Sequence, residues 1–476
     1  MRSPRGAVLI IVTILLGTTI VAAIAILTAS HAFMRTVDVG RAEMTARFLA
    51  DSGIARAAAC LNETNQSLCS GRAGPTYTGE SNLPIGAGTV TITVTPLSDT
   101  RKRIEAIGAV PNQNAARASI HLAQDISIAA STIGFRYATQ VGSRKFTLGN
   151  NARVEGSAYS NSSIIGGNGS RFTGDAFVTA GVDNRIENVL IDRNARAPLI
   201  RKTQIGGSAW SQQINETSIG GLAYASTMDR ATVGGNATVE RITNSTIGGN
   251  VWCESISGSI VGGRRYCPVE VTPPPDLAPI PLPVTPELIN QWKTDAAKGG
   301  TIETVSPDAY ATLSIGPVKI NGNLILDNNQ TLTISGTIHV TGTITLGNNA
   351  RLVLDQRYGA YSGIIIADGP ILIRNNGTVA GSGQSGSYVM LITTASGSAE
   401  QYAVDIRNNV NGAIIIAPNG IVAIKNTVTI TQVTAAGFIM DNSTVLRYDI
   451  GFLDTRLSAG PTAAWKMVSN AWRSLP

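Results

Sequence analysis

Three aspartates, each close to an arginine in the second half of the chain, are the residues whose types could support catalysis. The pairs are Asp355 with Arg357, Asp368 with Arg374, and Asp405 with Arg407. Carboxylates act as general acids or bases, and guanidinium groups bind acidic sugars. Such a site needs the carboxylates within about 5–6 Å on one face. Isolated acids and bases on a long polar surface are more often solvated, so we expect no enzyme activity, and a polysaccharide-cleaving enzyme is the alternative.

Other catalytic and metal-binding patterns are absent from the sequence. It contains no Gly-x-Ser-x-Gly, no phosphate-binding Gly-Lys-Ser/Thr loop and no His-Glu-x-x-His. The three histidines are scattered and no Cys-x-x-Cys pair occurs, so we expect no metal and no cofactor. The net charge of +6 is spread over 476 residues without basic runs, which disfavours nucleic-acid binding.

A repeat of 14 residues in the middle of the chain predicts the element that would position any site. Ile205-Gly206-Gly207 recurs as Ile219-Gly220-Gly221, and three further copies end at Gly263. Each copy carries small or apolar residues in three columns, and Gly and β-branched residues are abundant. A helical repeat would need apolar residues three and four apart, so the pattern predicts a β-solenoid. We expect each Gly-Gly pair to mark a corner with unusual backbone angles.

An aromatic column lies between two apolar columns of the repeat. By the two-residue period of a strand, its side chains point away from the core and form an exposed ladder. Such a ladder could stack on sugar rings, but stabilising the stacked strands is the role we favour. Its aromatic members are Trp210, Tyr224, Trp252 and Tyr266.

The four cysteines provide a second prediction from the repeat. Cys253 and Cys267 occupy the same column of successive copies, which places them about 4.8 Å apart in a parallel solenoid, within disulfide range. Two free core thiols are the alternative. Cys60 and Cys69 flank a polar loop and could form a second local disulfide. Both bridges would fit an oxidising compartment.

A second solenoid region follows a Pro-rich segment. Residues 345–351 repeat residues 147–153 one for one, and paired Asn at 328–329, 348–349, 375–376 and 408–409 predict bends that stack in ladders. The uneven spacing predicts a wider right-handed parallel β-helix. Between the halves, Thr285-Pro286-Glu287 predicts a helix start and Gly299 its end. We expect this helix, and one carrying Trp465, Val468 and Trp472, to cap solenoid ends.

The N-terminus predicts a membrane anchor. The stretch Ala7 to Ser30 is uncharged and apolar, close to the ~20 residues that cross a bilayer. A cleaved signal peptide is the alternative. Its apolar region is usually about 7–15 residues, so this stretch is long for removal, but the small residues from Ala29 to Ala32 leave cleavage open. Apolar residues continue at helical spacing to about Leu61.

Two segments of this region resemble the N-termini of PilX-like type IV minor pilins. They are Arg5-Gly6-Ala7-Val8-Leu9-Ile10 and the stretch from Ala46 to Ala57. The resemblance implies cleavage by a cytoplasmic peptidase between Gly6 and Ala7. Ile11 stands where major pilins carry Glu, a departure often found in PilX-like sequences. The body from about residue 130 resembles parallel β-helix domains fused to such N-termini in uncharacterised bacterial surface proteins.

Together these features predict a mainly β protein with one transmembrane helix and short capping helices. We expect a non-enzymatic surface protein, anchored in the membrane or associated with a pilus, with its bulk outside the cytoplasm and a role in adhesion or pilus assembly. Its expected partners are the membrane, other pilins or pilus assembly proteins, and surface carbohydrate, but not nucleic acid. A bactofilin-like cytoskeletal scaffold is a further alternative. The expected regions are 1–61 helix, 62–130 connecting β region, 131–267 first solenoid, 268–300 linker and helix, 301–455 second β-helix and 456–476 capping helix.

Overall fold

The chain folds into two compact units. A computed structural model describes residues 5–62, 69, 74, 76–98, 101–128, 130–397, 401–408, 410, 412–426, 428–448, 455–460 and 465–475. The first unit comprises residues 1–127 and 464–476, and the second comprises residues 128–463.

The first unit is one long helix and a five-stranded sheet. Neighbours among the first four strands are antiparallel, and the C-terminal strand extends the sheet beside the fourth. The elements are α1 Arg5–Asn62, β1 Gly79–Ile85, β2 Gly88–Ser98, β3 Arg101–Val110, β4 Ala118–Ile128 and β43 Trp465–Leu475.

The two halves of α1 have different surroundings. From Ala46 to Leu61, residues three and four apart form a buried stripe against β2 and β3. Glycines allow the close approach, because a Cβ on Gly108 would lie 2.1 Å from the Ala46 carbonyl oxygen. By contrast, the apolar side chains from Val12 to Phe48 are largely exposed, apart from Ala46. Composition and length therefore make α1 a candidate membrane span, with a mean hydropathy of 2.3 in its most apolar window.

The second unit is a parallel β-solenoid of about 17 turns, as the sequence predicts. Its first half, residues 139–266, has short strands on successive coils. They are β6 Thr139–Val141, β7 Phe146–Leu148, β8 Arg153–Glu155, β9 Ala158–Ser160, β10 Ile164–Gly166, β11 Arg171–Phe172, β12 Ala176–Val178, β13 Arg185–Glu187, β14 Leu190–Ile191, β15 Ala195–Arg201, β16 Gln204–Ile205, β17 Ala209–Asn215, β18 Ser218–Ile219, β19 Ala223–Asp229, β20 Thr232–Val233, β21 Ala237–Thr243, β22 Thr246–Ile247, β23 Val251–Ser257, β24 Ile260–Val261 and β25 Arg265–Tyr266.

The second half, residues 301–447, contains longer and less regular coils. Its strands are β26 Thr301–Val305, β27 Thr312–Ile315, β28 Val318–Leu326, β29 Thr331–Ile334, β30 Ile338–Val340, β31 Ile344–Leu346, β32 Arg351–Leu354, β33 Gly363–Ala367, β34 Ile371–Ile373, β35 Thr378–Ala380, β36 Val389–Thr393, β37 Val404–Arg407, β38 Ile414–Lys425, β39 Thr429–Ile430, β40 Gln432–Met440 and β41 Val445–Arg447. Two outer strands, β5 Ala130–Ile133 and β42 Thr455–Ser458, pair antiparallel with each other.

The 14-residue repeat places like residues over like residues. Ala209 pairs with Ala223 and Ile214 with Met228, and these side chains are buried in the core.

The Gly-Gly pairs are required by close packing rather than by the unusual backbone angles that the sequence predicts. A Cβ on Gly220 would lie 2.5 Å from the Gly206 carbonyl oxygen, so close stacking of the coils requires glycine there. The left-handed residue of each repeat lies elsewhere, at Lys202, Glu216, Arg230, Asn244 and Gly258.

The two solenoid halves form one continuous stack. The last coil of the second half pairs with the first coil of the first half, β40 with β6 and β7 and β41 with β8. The chain therefore enters the stack at its middle coil and builds outward to residue 266. It then builds the other half from β26 back to the middle. Both halves share one buried apolar core.

The helix expected after Thr285 is present but does not cap an end. Helix α2 spans Pro286–Ala297, and its N-cap Thr285 accepts a hydrogen bond from the Leu288 amide. Its buried Ile289 and Trp292 pack in one cluster with outward-facing side chains such as Ile366 of β33. That contact buries both faces of β33, which explains its continuous apolar run. The helix thus covers a side of the solenoid.

The predicted C-terminal capping helix is wrong. Residues Trp465–Leu475 form strand β43, and the side chain of Trp472 lies outside the described residues. The Trp465 amide donates to Asn62 Oδ1 at 2.6 Å, and Gln124 Nε2 donates to the Val468 carbonyl at 3.0 Å. Pairing beside β4 satisfies backbone groups that an edge strand would leave open, so tertiary contacts override the helical spacing.

A buried carboxylate in the first unit predicts an acid-sensitive sheet. Asp125 of β4 is 2 % exposed and receives hydrogen bonds from Arg103 at 2.8 Å and Arg101 at 3.0 Å, while Arg473 of β43 lies at 3.5 Å. The hydrogen bond from Arg103 lowers the pKa of Asp125 below its usual range. A lowered pKa stabilises the fold above the unfolded value of about 3.9, and this contribution is lost as pH falls through the folded pKa.

We therefore expect the free energy of unfolding of this unit to decrease when the pH is lowered below about 4, as measured by hydrogen exchange of the backbone amides of β2, β3 and β4. Asp125→Asn should lower the free energy of unfolding at neutral pH, and the further decrease of that free energy at acid pH should be smaller than in the wild type. Asp51→Asn, on the exposed face of α1, is the control. An unchanged acid loss in Asp125→Asn would contradict the assignment.

Candidate binding surfaces of the solenoid

The aromatic column stacks in two pairs but is less exposed than expected. The rings of Trp210 and Tyr224 are nearly parallel with centroids 5.8 Å apart, and those of Trp252 and Tyr266 lie 5.2 Å apart. Thr238 separates the pairs in the same register. Only Tyr266 is exposed, at 38 %, and the other three rings are half-buried. This geometry fits stabilisation of stacked strands better than sugar binding.

A Pro-rich strap, residues 268–285, crosses the coils beside this column. Solenoid side chains donate to its carbonyl groups, Gln212 to Pro274 at 2.8 Å and Tyr159 to Ala278 at 2.7 Å. Arg196, which continues the aromatic column, donates to Pro275. The strap therefore returns the chain along the first half, from residue 267 toward the middle coil.

Both predicted cysteine pairs are disulfide-bonded in the structure. Cys253 and Cys267 lie one coil apart with a Cα–Cα distance of 4.9 Å, and Cys60 and Cys69 have 5.7 Å. The first bridge closes the terminal coil of the first half, immediately before the strap. The second joins Cys60, near the end of α1, to Cys69.

The three candidate carboxylates each have their own cationic partners. Asp355 accepts two hydrogen bonds from the Arg357 side chain, at 3.0 and 2.7 Å, which lower its pKa. Asp368 lies 2.5 Å from Lys293 of α2 and 2.9 Å from His339. Burial opposes its ionisation, but these two partners hold the pKa of Asp368 below its usual value. Both carboxyl groups are thus charged ion-pair partners, and Asp368 fastens α2 to the solenoid.

The third carboxylate belongs to a groove on the outer surface of the second half. Asp405 receives two hydrogen bonds from Arg407, at 2.7 and 2.6 Å, and lies 3.7 Å from Arg374. The groove has a volume of about 380 Å³ and includes Tyr402 and Leu372 in its lining. Three of the six candidate residues, Arg374, Asp405 and Arg407, therefore meet at this groove.

An asparagine ladder borders the groove. Asn375 donates to Asn348 at 3.0 Å, Asn408 donates to Asn375 at 3.0 Å, and Asn426 continues the series to Asn408. Asn375, Asn408 and Asn426 have positive φ, which Asn tolerates better than most residues. The ladder fixes the bend that follows each basic residue of the groove.

The sequence contains a signal for the basic residues at this groove, but a search for neighbouring Asp and Arg residues does not find it. Arg374, Arg407 and Lys425 each directly precede an asparagine of the ladder. Aligning the chain on these asparagines places the three cations in one column. The unequal spacing of the coils conceals that column from a search for a fixed period.

No cluster of three or more His, Cys, Asp or Glu suited to a metal occurs among the described residues. Gly6 and Ala7 lie within α1, but their side chains fall outside the described residues.

Comparison with known proteins finds only distant similarity, to solved structures. No protein-family model and no curated protein matches the sequence. The crystal structure of the competence-associated pilin ComZ from Thermus thermophilus is similar at 11 % identity, covering 91 % of this chain and 98 % of that chain, with a TM-score of 0.19. An overlap of that score does not establish a shared fold.

The disulfides yield a direct prediction for the native protein. Alkylation of the unreduced, denatured protein should modify none of the four cysteines, and alkylation after reduction should modify all four, as read by mass spectrometry. Cys267→Ser should expose one reactive thiol, at Cys253. Four reactive thiols in the unreduced native protein would contradict the assignment.

Proposed function

We propose that the protein is a non-enzymatic surface protein, anchored in the membrane or associated with a pilus, that presents the β-solenoid for adhesion or pilus assembly. In this role it resembles a PilX-like minor pilin, with processing between Gly6 and Ala7. Its partners are the bilayer and other pilins.

The two-part character of α1 carries the proposal. Exposed apolar side chains such as Leu16 at 60 % and Leu27 at 59 % have no protein core around them in the described structure. At 1.5 Å per residue, residues 12–34 span roughly the 30 Å of a hydrocarbon core. The following half of the helix is packed on the sheet, so one element joins an apolar environment to a folded unit.

The disulfides support the proposed location outside the cytoplasm, and the ion pairs support the proposal that the protein is not an enzyme. Both bridges lie C-terminal to the apolar segment and would form in an oxidising compartment. The carboxyl groups of Asp355 and Asp368 have lowered pKa values, whereas a general acid near neutral pH needs a raised one.

Membrane association can be tested with paired arginine substitutions. In a bacterial host, the full chain should sediment with membranes, resist alkaline carbonate, and be labelled on spheroplasts by an impermeant amine reagent. Ile20→Arg with Ile24→Arg should release it, because both exposed side chains lie near the centre of residues 12–34 and each Arg there costs about 2.5–3.5 kcal/mol.

Met44→Arg with Phe48→Arg is the matched control. Both side chains are exposed, at 71 % and 70 %, but lie beyond the apolar stretch. This variant should remain in the membrane fraction. Wild-type protein found intact in the cytosol would contradict the proposal.

A further inference from the structure

We infer that the groove beside Tyr402 is a binding site for a short carboxylate-bearing saccharide, such as an oligouronate. The inference deepens the adhesion role proposed above and rests on it only for placing the site outside the cell. It concerns the outer surface of β34, β37 and β38, away from the aromatic column.

Three cations form a column on successive coils of this surface. Arg407 pairs in register with Lys425, and Arg374 follows Ile373 as Arg407 follows the paired Ile406. Neighbouring coils place such residues about 4.8 Å apart. Among the described residues that line the groove, Asp405 is the one carboxylate, so the three cations of the column outnumber the described carboxylates there.

The Arg407 guanidinium is bound by Asp405, whereas the Arg374 guanidinium has donors available to a ligand. Both hydrogen bonds from Arg407 go to Asp405, which is buried at 5 % exposure and fixes the plane of that guanidinium. Arg374 lies 3.7 Å from Asp405, longer than a hydrogen bond, and its side chain is 47 % exposed. A planar guanidinium with available donors binds a carboxylate through two parallel hydrogen bonds.

The other lining residues suit a sugar ring. Tyr402 and Leu372 offer apolar surface, against which the C–H face of a pyranose can pack, and Thr343 supplies a hydroxyl group. The Lys425 ammonium lies 4.6 Å from the Tyr402 ring centroid, which places a second cation beside the ring. The volume of about 380 Å³ falls at the small end of ligand sites.

The column is too short for a long polyanion. On one side the register places Gly347 beside Arg374, because Leu346 pairs with Ile373. On the other side it places Asp441 beside Lys425, because Ile424 pairs with Met440. The cations therefore span three coils and end at a carboxylate. A nucleic acid gains affinity from many phosphate contacts, which this site does not offer.

Binding of an acidic and a neutral trisaccharide tests the inference. Isothermal titration of the full-length protein in detergent should show binding of trigalacturonate and none of maltotriose, an uncharged trisaccharide. Arg374→Gln should weaken trigalacturonate binding at least about tenfold, because it removes the charge and the paired donors. Arg351→Gln, an exposed arginine of β32, is the matched control and should bind as wild type does.

Three results would overturn the inference. They are no trigalacturonate binding, equal binding in Arg374→Gln, and equally tight binding of a short oligothymidylate. The exposed position of Arg374 makes misfolding of the variant easy to exclude by circular dichroism. Because the titration involves no membrane, its failure would leave the spheroplast experiment on the proposed function unaffected.

Discussion

The structure of the second unit depends on in-register hydrogen bonding between successive coils. Each strand pairs with the strand one coil away, so backbone donors and acceptors are satisfied along the stack and like side chains meet. Core columns such as Ala195, Ala209, Ala223 and Ala237 follow from that register. The asparagine ladder, the Cys253–Cys267 bridge and the column of cations result from the same register.

Continuity of the stack across the middle requires a long return path for the chain. The first half ends at one end of the solenoid and the second half begins at the other. The strap meets the requirement with proline residues, which have no backbone N–H to satisfy. Its carbonyl groups accept hydrogen bonds from solenoid side chains such as Gln140 and Asn161. Helix α2 then covers the outer face of the second half before β26 begins.

The sequence predicted the features that a local period determines. The 14-residue step indicated the coil, its core columns and the stacking of Cys253 over Cys267. The paired asparagines indicated bends, and Thr285 the start of α2. The pairing of β40 with β6 was not predictable in this way, because it joins residues nearly 300 apart and no local pattern records it. The strand at Trp465 was missed for a related reason, since its partner β4 lies far away in sequence.

The candidate site was only partly predictable. Asp405, Arg407 and Arg374 were identifiable by type, but the sequence grouped them with Asp355 and Asp368, which have other partners. The strand register places Asp355 and Asp368 away from the other three residues, and this placement cannot be read from the sequence because the coils differ in length. Tyr402 carried no signal of its own, since a single aromatic residue in an irregular loop belongs to no column.

Cysteine cross-linking across the middle of the stack tests the central claim most directly. Thr147 of β7 pairs with Ile439 of β40, and both side chains are half-buried on the outer surface. One continuous stack predicts that Thr147→Cys with Ile439→Cys forms an intramolecular disulfide under mild oxidation. Thr147→Cys with Thr345→Cys, several coils apart, should not. Failure of the first pair to cross-link, or equal cross-linking of both pairs, would contradict a single solenoid built from two halves.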